Sequence, residues 1–390
     1  MKICMISYSQ YEYDNRVHRY AESLAARGDR VDVICLGKKG QPARLDLGDV
    51  HLYRIQTRSY NEKGPLSYLM QMSRFFILSS IWCIRLYAAQ RHDVFHFHNI
   101  PDFGVFCTMI PKWLGAKIIL DIHDLVPEFY QRKFDLGESH VMIRILKMLE
   151  KQAARFADHV ITVTTLWENT LTQRSVSPEK CTVILNAPDP SLFFPRTTTK
   201  ARSGPTVLVY HGNLSEIFGV DLAIQAMPRI KNTIGSVVLD IYGQGKDVTD
   251  LKRLARSCEV EDVVRFHRPV PRQQIPEILR DAHLGIDPKR DGILAGEGLS
   301  SKCMEYLAME LPAVVSAIPA AKTYYRGNMV QFFNPGNSAD LAEQVIHVIK
   351  NKSRIREMIK HSRVFNREHH WSVYESRYFE LLNKMVGDHA

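Results

Sequence analysis

Short apolar runs rich in β-branched residues alternate with segments of helical periodicity along the first half of the chain. These runs cover residues 2–9, 30–36, 50–55, 93–97, 117–122, 159–164 and 181–185. Between the first two runs, residues 15–27 carry apolar side chains at helical spacing, and the pattern stops at Gly28. The alternation predicts a parallel sheet wrapped by helices.

A second αβ series follows a polar stretch at residues 196–205 that has no periodicity and predicts a linker. Its strands are predicted at 206–210, 236–241, 263–267, 284–287, 313–316 and 329–333. We therefore predict two Rossmann-like domains, residues 1–190 and 191–370, and a final helix over 371–390 that returns to the first domain. A ligand shared by both would lie in a cleft beyond the carboxyl ends of the strands.

The composition of the 390 residues, 45% hydrophobic and 24% charged, is that of an ordinary globular enzyme and excludes wholesale disorder. The seven cysteines are scattered without a Cys-x-x-Cys pair, which indicates reduced thiols and a cytoplasmic protein. The first residues predict a strand rather than a signal peptide.

The net charge of +9 admits a nucleic acid, an anionic lipid or a phosphorylated substrate as partner. Nucleic acid is the weakest of these, because no recognition helix or aromatic interleaving accompanies the basic residues. Residues 66–89 predict an apolar helix in which Arg74 and Arg85 leave only ten uncharged residues between them, too few to span a bilayer. This helix is either a core element or an interfacial helix that binds the anionic cytosolic face of a membrane peripherally.

Two carboxylates, Glu297 and Glu305, stand with seven residues between them and enclose Ser301 and Lys302. If a helix starts here, its free N–H groups and positive dipole end would bind an anion beside Lys302. That arrangement suits a nucleoside diphosphate. The alternative interpretation is an ordinary amphipathic helix with charged surface residues.

Other candidate sites give weaker signals. Residues 7–14, after the first strand, lack the Gly-x-Gly-x-x-Gly pattern of NAD or FAD binding. A strand of the second half ends in Gly243-Gln244-Gly245, which could be a simple turn. His96 and His98 alternate along one strand, but no third ligand of suitable spacing appears, so we expect no metal.

In order and spacing, several segments together resemble the retaining glycosyltransferases of glycosyltransferase family 4, an α/β family with the GT-B fold of two Rossmann-like domains facing across a cleft. The matching segments are 14–24, 119–124, 186–189 with 193–195, 210–214, 241–245 and 297–312. The resemblance covers nearly the whole chain, and its last segment is the most specific.

The resemblance implies roles for individual residues. Glu305 would accept hydrogen bonds from the nucleotide ribose, Lys302 would neutralise the diphosphate, and Glu297 would lie beside the donor sugar. His123 would contact the donor sugar at the reaction centre, with Asp124 orienting it or meeting the acceptor. Further donor-site candidates are Gly212, Asn213, Gly243, Gln244, Gly245, Lys289, Arg290 and Ser301, and acceptor-side candidates are Arg16 and His98.

The chain also departs from the family pattern, because Asn213 and Phe218 stand where many members carry an Arg and a Lys that face the diphosphate. Lys289 and Arg290 could replace those charges, with backbone donors at 300–302 adding to them.

The implied activity is transfer of a hexose-type sugar, with retention, from a UDP- or GDP-linked donor to a hydroxyl of a lipid-linked or polysaccharide acceptor, without metal or other cofactor. Such a reaction would serve cell-surface polysaccharide or glycolipid biosynthesis. The alternatives are a GT-B nucleotide-sugar epimerase and a catalytically silent nucleotide-binding scaffold in a glycan assembly complex.

Overall fold

The computed structural model describes residues 1–57, 65–195, 204–292 and 298–387. The chain divides into two compact units: unit 1 is Met1–Leu185 with Glu375–Ala390, and unit 2 is Asn186–Tyr374. The first division falls five residues before the predicted boundary at 190, and the second falls four residues after the one at 370. Most of the predicted linker, residues 196–203, lies outside the described residues.

Unit 1 is built on one sheet that, within the described residues, has eight strands in the order β3-β4-β2-β1-β5-β6-β7-β8. The strands are β1 (Lys2–Gln10), β2 (Arg30–Gly37), β3 (Arg44–Leu47), β4 (Val50–Thr57), β5 (Val94–His98), β6 (Lys117–Ile122), β7 (His159–Thr162) and β8 (Cys181–Val183). The helices are α1 (Asn15–Ala26), α2 (Pro65–Gln90), α3 (Met109–Trp113), α4 (Val126–Phe134), α5 (Val141–Phe156) and α6 (Thr165–Arg174).

The sheet of unit 1 is parallel except at β3, which pairs antiparallel with β4. The central strand β5 is buried at every position, since helices cover both faces of a parallel sheet. The sequence pattern does not predict β3, because this strand is four residues long and mostly exposed, so it shows no apolar alternation.

The end signals of α1 explain its bounds. The side chain of Asp14 caps the helix by accepting a hydrogen bond from the Val17 amide at 3.1 Å. At the other end Gly28 has a φ of +90°, a conformation that a residue without Cβ adopts readily. The helix therefore stops where the sequence predicts.

Unit 2 repeats this plan on one parallel sheet, with the strand order β11-β10-β9-β12-β13-β14 in the described part of the chain. Its strands are β9 (Thr206–Asn213), β10 (Val237–Gln244), β11 (Val264–His267), β12 (Leu284–Asp287), β13 (Ala313–Ser316) and β14 (Gln331–Phe333). Its helices are α7 (Val220–Ile234), α8 (Val248–Ser257), α9 (Ile275–Asp281), α10 (Ser301–Ala308), α11 (Pro319–Tyr324), α12 (Ser338–Lys350) and α13 (Lys352–Glu368).

The last helix, α14 (Trp371–Gly387), contributes its residues from Glu375 onward to unit 1. Its Tyr378 is completely buried, with the hydroxyl 2.9 Å from Nδ1 of His96 and the ring 4.5 Å from that of Tyr20. The guanidinium of Arg27 lies over the Phe379 ring at 4.3 Å. The final segment therefore packs against unit 1.

The long helix α2 has two different faces. Met72, Phe75 and Cys83 are buried in the core of unit 1. A second face exposes large apolar side chains: Leu69, Met70, Ile77, Ile81 and Ile84. The helix is thus a core element on one side while it presents apolar surface on the other. Throughout the described residues, no helix has the length and hydropathy required to cross a membrane.

Candidate functional site

The carboxyl ends of β9 and β10 lie side by side in unit 2, with Gly212 paired to Gly243. A Cβ at Gly243 would lie 1.9 Å from the Gly212 carbonyl oxygen, and one at Gly245 would lie 2.3 Å from the Leu214 carbonyl oxygen. Only glycine fits these close backbone approaches. The predicted glycines therefore leave bare backbone at the end of the sheet where ligands of such folds bind.

Lys302, in the first turn of α10, lies above this glycine surface. A Cβ at Gly212 would be 3.1 Å from Cε of Lys302, and Nζ lies 4.6 Å from the Phe218 ring centroid and 5.4 Å from that of Tyr210. The ammonium group is thus held by aromatic faces, and no carboxylate of the described residues forms an ion pair with it. Phe218, which stands where the family pattern has a cation, packs against the cation that remains.

The start of α10 adds backbone donors to this cation. Ser300 is the N-cap, and its side chain accepts no hydrogen bond from the first turn. The first N–H groups, at Ser301 and its neighbours, therefore have no side-chain cap from Ser300, and the positive end of the helix dipole lies beside Lys302.

Glu305 follows one turn later in α10. Its Oε2 lies 3.2 Å from Nε2 of His211, a residue that the sequence argument did not select. Burial and the nearby Lys302 lower the pKa of His211 to about 3, so its imidazole is neutral near pH 7. The strand pattern could have located His211, since it immediately precedes Gly212. We call Gly212, Phe218, Lys302, Glu305 and His211 the lysine cluster.

The two cations expected to supplement this site are bound within the protein. Nζ of Lys289 donates to the Gly298 carbonyl at 2.6 Å, and the guanidinium of Arg290 forms an ion pair with Asp221. These contacts engage both groups, and their replacement of the missing loop charges stays a prediction. Lys289 instead ties β12 to the segment before α10. Glu297 lies outside the described residues.

The predicted residues of unit 1 meet around a buried carboxylate that the sequence argument did not select, Asp121 at the end of β6. Arg16 donates to it through Nε at 2.6 Å and Nη2 at 2.9 Å, and Nδ1 of His98 lies 2.9 Å from Oδ2. Burial by itself would raise the pKa of Asp121, but the Arg16 guanidinium and His98 outweigh it and hold that pKa well below its usual range.

Arg16 and His98 were predicted to contact the acceptor, and the structure instead places both in the interior. His98 has no exposed surface, and Arg16 also donates to the Ile184 carbonyl at 3.0 Å. Burial lowers the pKa of His98 despite Asp121, so the ring is neutral near pH 7. Direct contact of His98 with an acceptor is therefore not supported.

His123 forms the more exposed side of the same cluster. Its Nδ1 lies 4.0 Å from Oδ2 of Asp121, and 20% of its side chain is exposed. Asp14 completes the group: burial opposes its ionisation, yet His123 and a 2.7 Å hydrogen bond from Ser9 lower its pKa. We call Asp14, Arg16, His98, Asp121 and His123 the histidine–aspartate cluster.

One further side chain, Asn99, fixes the backbone that carries His123 and Asp124. Its Oδ1 accepts from the amides of His123 at 3.1 Å and Asp124 at 3.3 Å. Its Nδ2 donates to the Asp124 carbonyl at 2.6 Å and to Oδ1 of Asp102 at 2.8 Å. Sequence reasoning missed Asn99, because only the adjacency of β5 and β6 brings it to these residues.

The histidine pair does have a third candidate ligand. His96, His98 and Asp121 offer ligand atoms within 4.8 Å of one another. The sequence argument that none exists was wrong, because His98 and Asp121 are register partners on neighbouring strands. Arg16 already holds both oxygens of Asp121, however, and its positive charge opposes a second cation there.

Both units thus carry charged groups at the ends of parallel strands, the arrangement of the nucleotide-binding Rossmann-like enzymes. Residues 13–187 match the family described as Glycosyl transferase 4-like domain, and residues 196–365 match the one described as Glycosyl transferases group 1. The two matches follow one another over most of the chain, and the chain belongs to the group 1 glycosyltransferases. The resemblance found in the sequence is confirmed.

Relatives and solved structures agree with this assignment. The chain is 25% identical over 311 residues to WcaL of Escherichia coli strain K12, described as a colanic acid biosynthesis glycosyltransferase, covering 76% of this chain and 73% of WcaL. Sucrose-phosphate synthase from Thermosynechococcus elongatus superposes with a TM-score of 0.80 at 16% identity, covering 100% of each chain. HepE from Anabaena in complex with UDP-glucose gives a TM-score of 0.73 at 16% identity, covering 98% of this chain and 100% of HepE. These likenesses confirm the predicted GT-B fold.

Proposed function

We propose that the chain is a retaining hexosyltransferase that uses a UDP- or GDP-linked sugar. The observation that carries this proposal is the lysine cluster: a cation without a carboxylate partner among the described residues lies between a glycine surface and the start of a helix. A diphosphate supplies the missing negative charge and accepts from the free N–H groups. The UDP-glucose bound to HepE supports a nucleotide-sugar donor.

The other residues of unit 2 complete the donor site in this proposal. Glu305 accepts hydrogen bonds from both ribose hydroxyls, and Nε2 of the neutral His211 lies 3.2 Å from its Oε2. Asn213 and Gln244 extend from the strand ends beside the glycines. Glu297 lies beside the sugar and stabilises positive charge that develops at the anomeric carbon.

At the reaction centre, His123 contacts the donor sugar and Asp124 orients it or meets the acceptor. The buried pair of Arg16 and Asp121 acts as positioning residues, since both are held in one geometry behind His123. The leaving phosphate helps to deprotonate the acceptor on the same face, so retention needs no lasting protein nucleophile. The reaction needs no metal, because Lys302 and the helix start stabilise the leaving diphosphate.

The acceptor is a lipid-linked or polysaccharide precursor, as the similarity to WcaL supports. The exposed apolar face of α2 and the net charge of +9 favour peripheral binding to an anionic cytosolic membrane face. Flotation with neutral and anionic vesicles tests this part. We expect recovery with anionic vesicles only, decreasing with salt, whereas equal recovery with both would contradict it.

A panel of UDP- and GDP-sugars tests the activity itself. We expect slow hydrolysis of one donor, transfer to a hydroxyl acceptor that survives EDTA, and an anomeric proton coupling in the product that matches the donor. Isomerisation of the nucleotide sugar without transfer would instead show the epimerase, and nucleotide binding without turnover would show the scaffold.

A further inference from the structure

Unit 1 contains a cavity of about 410 Å³ that none of the site residues line. It lies between α2 and the edge strands of the sheet, and its volume is in the range of small-ligand pockets. Four arginines and two aromatic residues form most of its wall: Arg30, Arg44, Arg54, Arg85, Tyr53 and Trp82.

The cavity extends from the amino end of β2 to the middle of β4, where Tyr53 and Arg54 lie. Arg30 is the first residue of β2, and the lining residues of α2 are in its last turns, shortly before β5 begins. The histidine–aspartate cluster, in contrast, contains the residues that follow the carboxyl ends of β1 and β6. The cavity is therefore a separate place on unit 1.

The wall of the cavity is positively charged. None of the lining residues that the structure describes is acidic, although three arginines contact carboxylates nearby: Arg30 with Asp32, Arg44 with Asp46, and Arg54 with Glu12.

The guanidinium of Arg54 is engaged with Glu12 and the Pro42 carbonyl, so one cation on this wall is left without a partner in the described part of the chain. Arg85 is exposed and forms no ion pair or hydrogen bond with any residue that the structure describes. The cavity therefore has donors and charge for an anion.

The rest of the wall is apolar. The Tyr53 and Trp82 rings pack at 5.1 Å, and Leu86 and Ala89 continue this surface along α2. Arg85 lies next to Ile84 and one turn from Ile81, both on the exposed apolar face. A free anion would use only the arginines, whereas a phosphate with an apolar chain would use both parts of this surface.

We propose that this cavity binds the phosphate head group of an anionic lipid, with the lipid chain along the exposed face of α2. This inference goes beyond the proposed function: it adds a defined head-group site to a surface for which general charge attraction would suffice. It also assigns unequal roles to Arg74 and Arg85, which both lie exposed on α2 although only Arg85 lines the cavity.

The test is calorimetry with short-chain dihexanoyl phosphatidylglycerol below its micelle concentration. We expect saturable binding by the full chain, about tenfold weaker binding in Arg85→Gln and in Arg44→Gln, and less than a twofold change in Arg74→Gln. The phosphatidylcholine counterpart should not bind. Because Arg85 and Arg44 are exposed, both variants should keep the melting temperature of the parent.

Three outcomes would overturn the proposal: no saturable binding by the parent, equal losses in Arg74→Gln and Arg85→Gln, or inorganic phosphate binding as tightly as the lipid. Equal losses would indicate diffuse surface attraction, and tight inorganic phosphate would indicate a free-anion site. Hydrolysis of the nucleotide sugar in Arg85→Gln should equal that of the parent. Failure of the lipid site is thereby distinguishable from failure of the glycosyltransferase assignment.

Discussion

The histidine–aspartate cluster of unit 1 and the lysine cluster of unit 2 hold their charges in different ways. In unit 1, Asp121 is neutralised by two hydrogen bonds from Arg16, and a neutral His98 contacts it as well. In unit 2, Lys302 is surrounded by Phe218 and Tyr210, without a carboxylate partner among the described residues. One cluster is complete within the protein, whereas the other, in the proposed function, is completed by an anionic ligand.

This contrast in charge pairing determines what each cluster can contribute. A buried ion pair costs several kcal/mol to desolvate and recovers this only through good geometry, so the unit 1 cluster is a rigid support for His123. An ammonium group on aromatic faces keeps its hydrogen-bond donors, so the unit 2 cluster retains binding free energy for a ligand. Substitutions in the histidine–aspartate cluster should therefore affect stability and turnover, whereas substitutions in the lysine cluster should affect ligand affinity.

The largest effect is expected for Arg16→Met, because it leaves the buried Asp121 carboxylate unpaired. We expect the free energy of unfolding, from urea titration, to fall by about 3–5 kcal/mol. The matched control is Arg363→Ala, which removes an equally bidentate but exposed pair with Glu310 and should cost less than about 1 kcal/mol. Similar costs for the two variants would show that the unit 1 pair is not a buried support.

Next in size is the loss of turnover in His123→Ala. Transfer should slow by about 100-fold or more while the dissociation constant for the nucleotide changes little, since the role proposed for His123 is to stabilise the transition state. Glu297→Ala should show the same split, and His347→Ala, an exposed histidine of α12, should not change either quantity. Near-normal turnover of both main variants would remove them from the mechanism.

The sequence reveals some of the residues behind these predictions and not others. The strand and helix succession, the glycines at 212, 243 and 245, and Lys302 are all visible in it, because each is encoded by local periodicity or by a short motif. Asp121 and Asn99 were not selected as site residues, because their roles arise from contacts between neighbouring strands. The burial of His98 could not be predicted either, since a histidine at a strand end can face solvent or core.

Lys302→Ala tests whether the lysine cluster binds the diphosphate. Calorimetry should show that the affinity for the nucleoside diphosphate falls by about 1.5–3 kcal/mol, the range for a charged hydrogen bond. Lys252 also lies over a phenylalanine ring, that of Phe266, but is exposed on α8, so Lys252→Ala is the control and should bind as the parent does.

Asn213→Arg should raise that affinity in part, because it restores a cation at the end of β9. If Lys302→Ala binds the diphosphate as tightly as the parent, then the Lys302 ammonium group does not pair with the diphosphate. The lysine cluster would then not be a ligand-binding site.

The smallest expected effect is a pH dependence of stability that arises from Asp102 in unit 1. Burial, with Glu150 nearby, raises the pKa of Asp102 to about 7, and Asp102 accepts from Asn99, which holds the backbone of His123. Between the ordinary value of about 4 and this raised pKa, the folded protein keeps a proton that the unfolded chain loses. Stability contributed by the protonated group is therefore lost as pH rises through this window.

Asp102→Asn keeps an oxygen for Asn99 but has no proton to lose. We expect its free energy of unfolding, relative to the parent, to increase by about 1–2 kcal/mol between pH 5 and pH 6.5. Urea titrations of both proteins at the two pH values measure this difference. Glu179→Gln, at an exposed position of unit 1, should leave the pH dependence of the parent nearly unchanged over that range. A constant difference between Asp102→Asn and the parent would mean that Asp102 is ionised throughout, and Asn99 would then hold His123 against a charged neighbour rather than a neutral one.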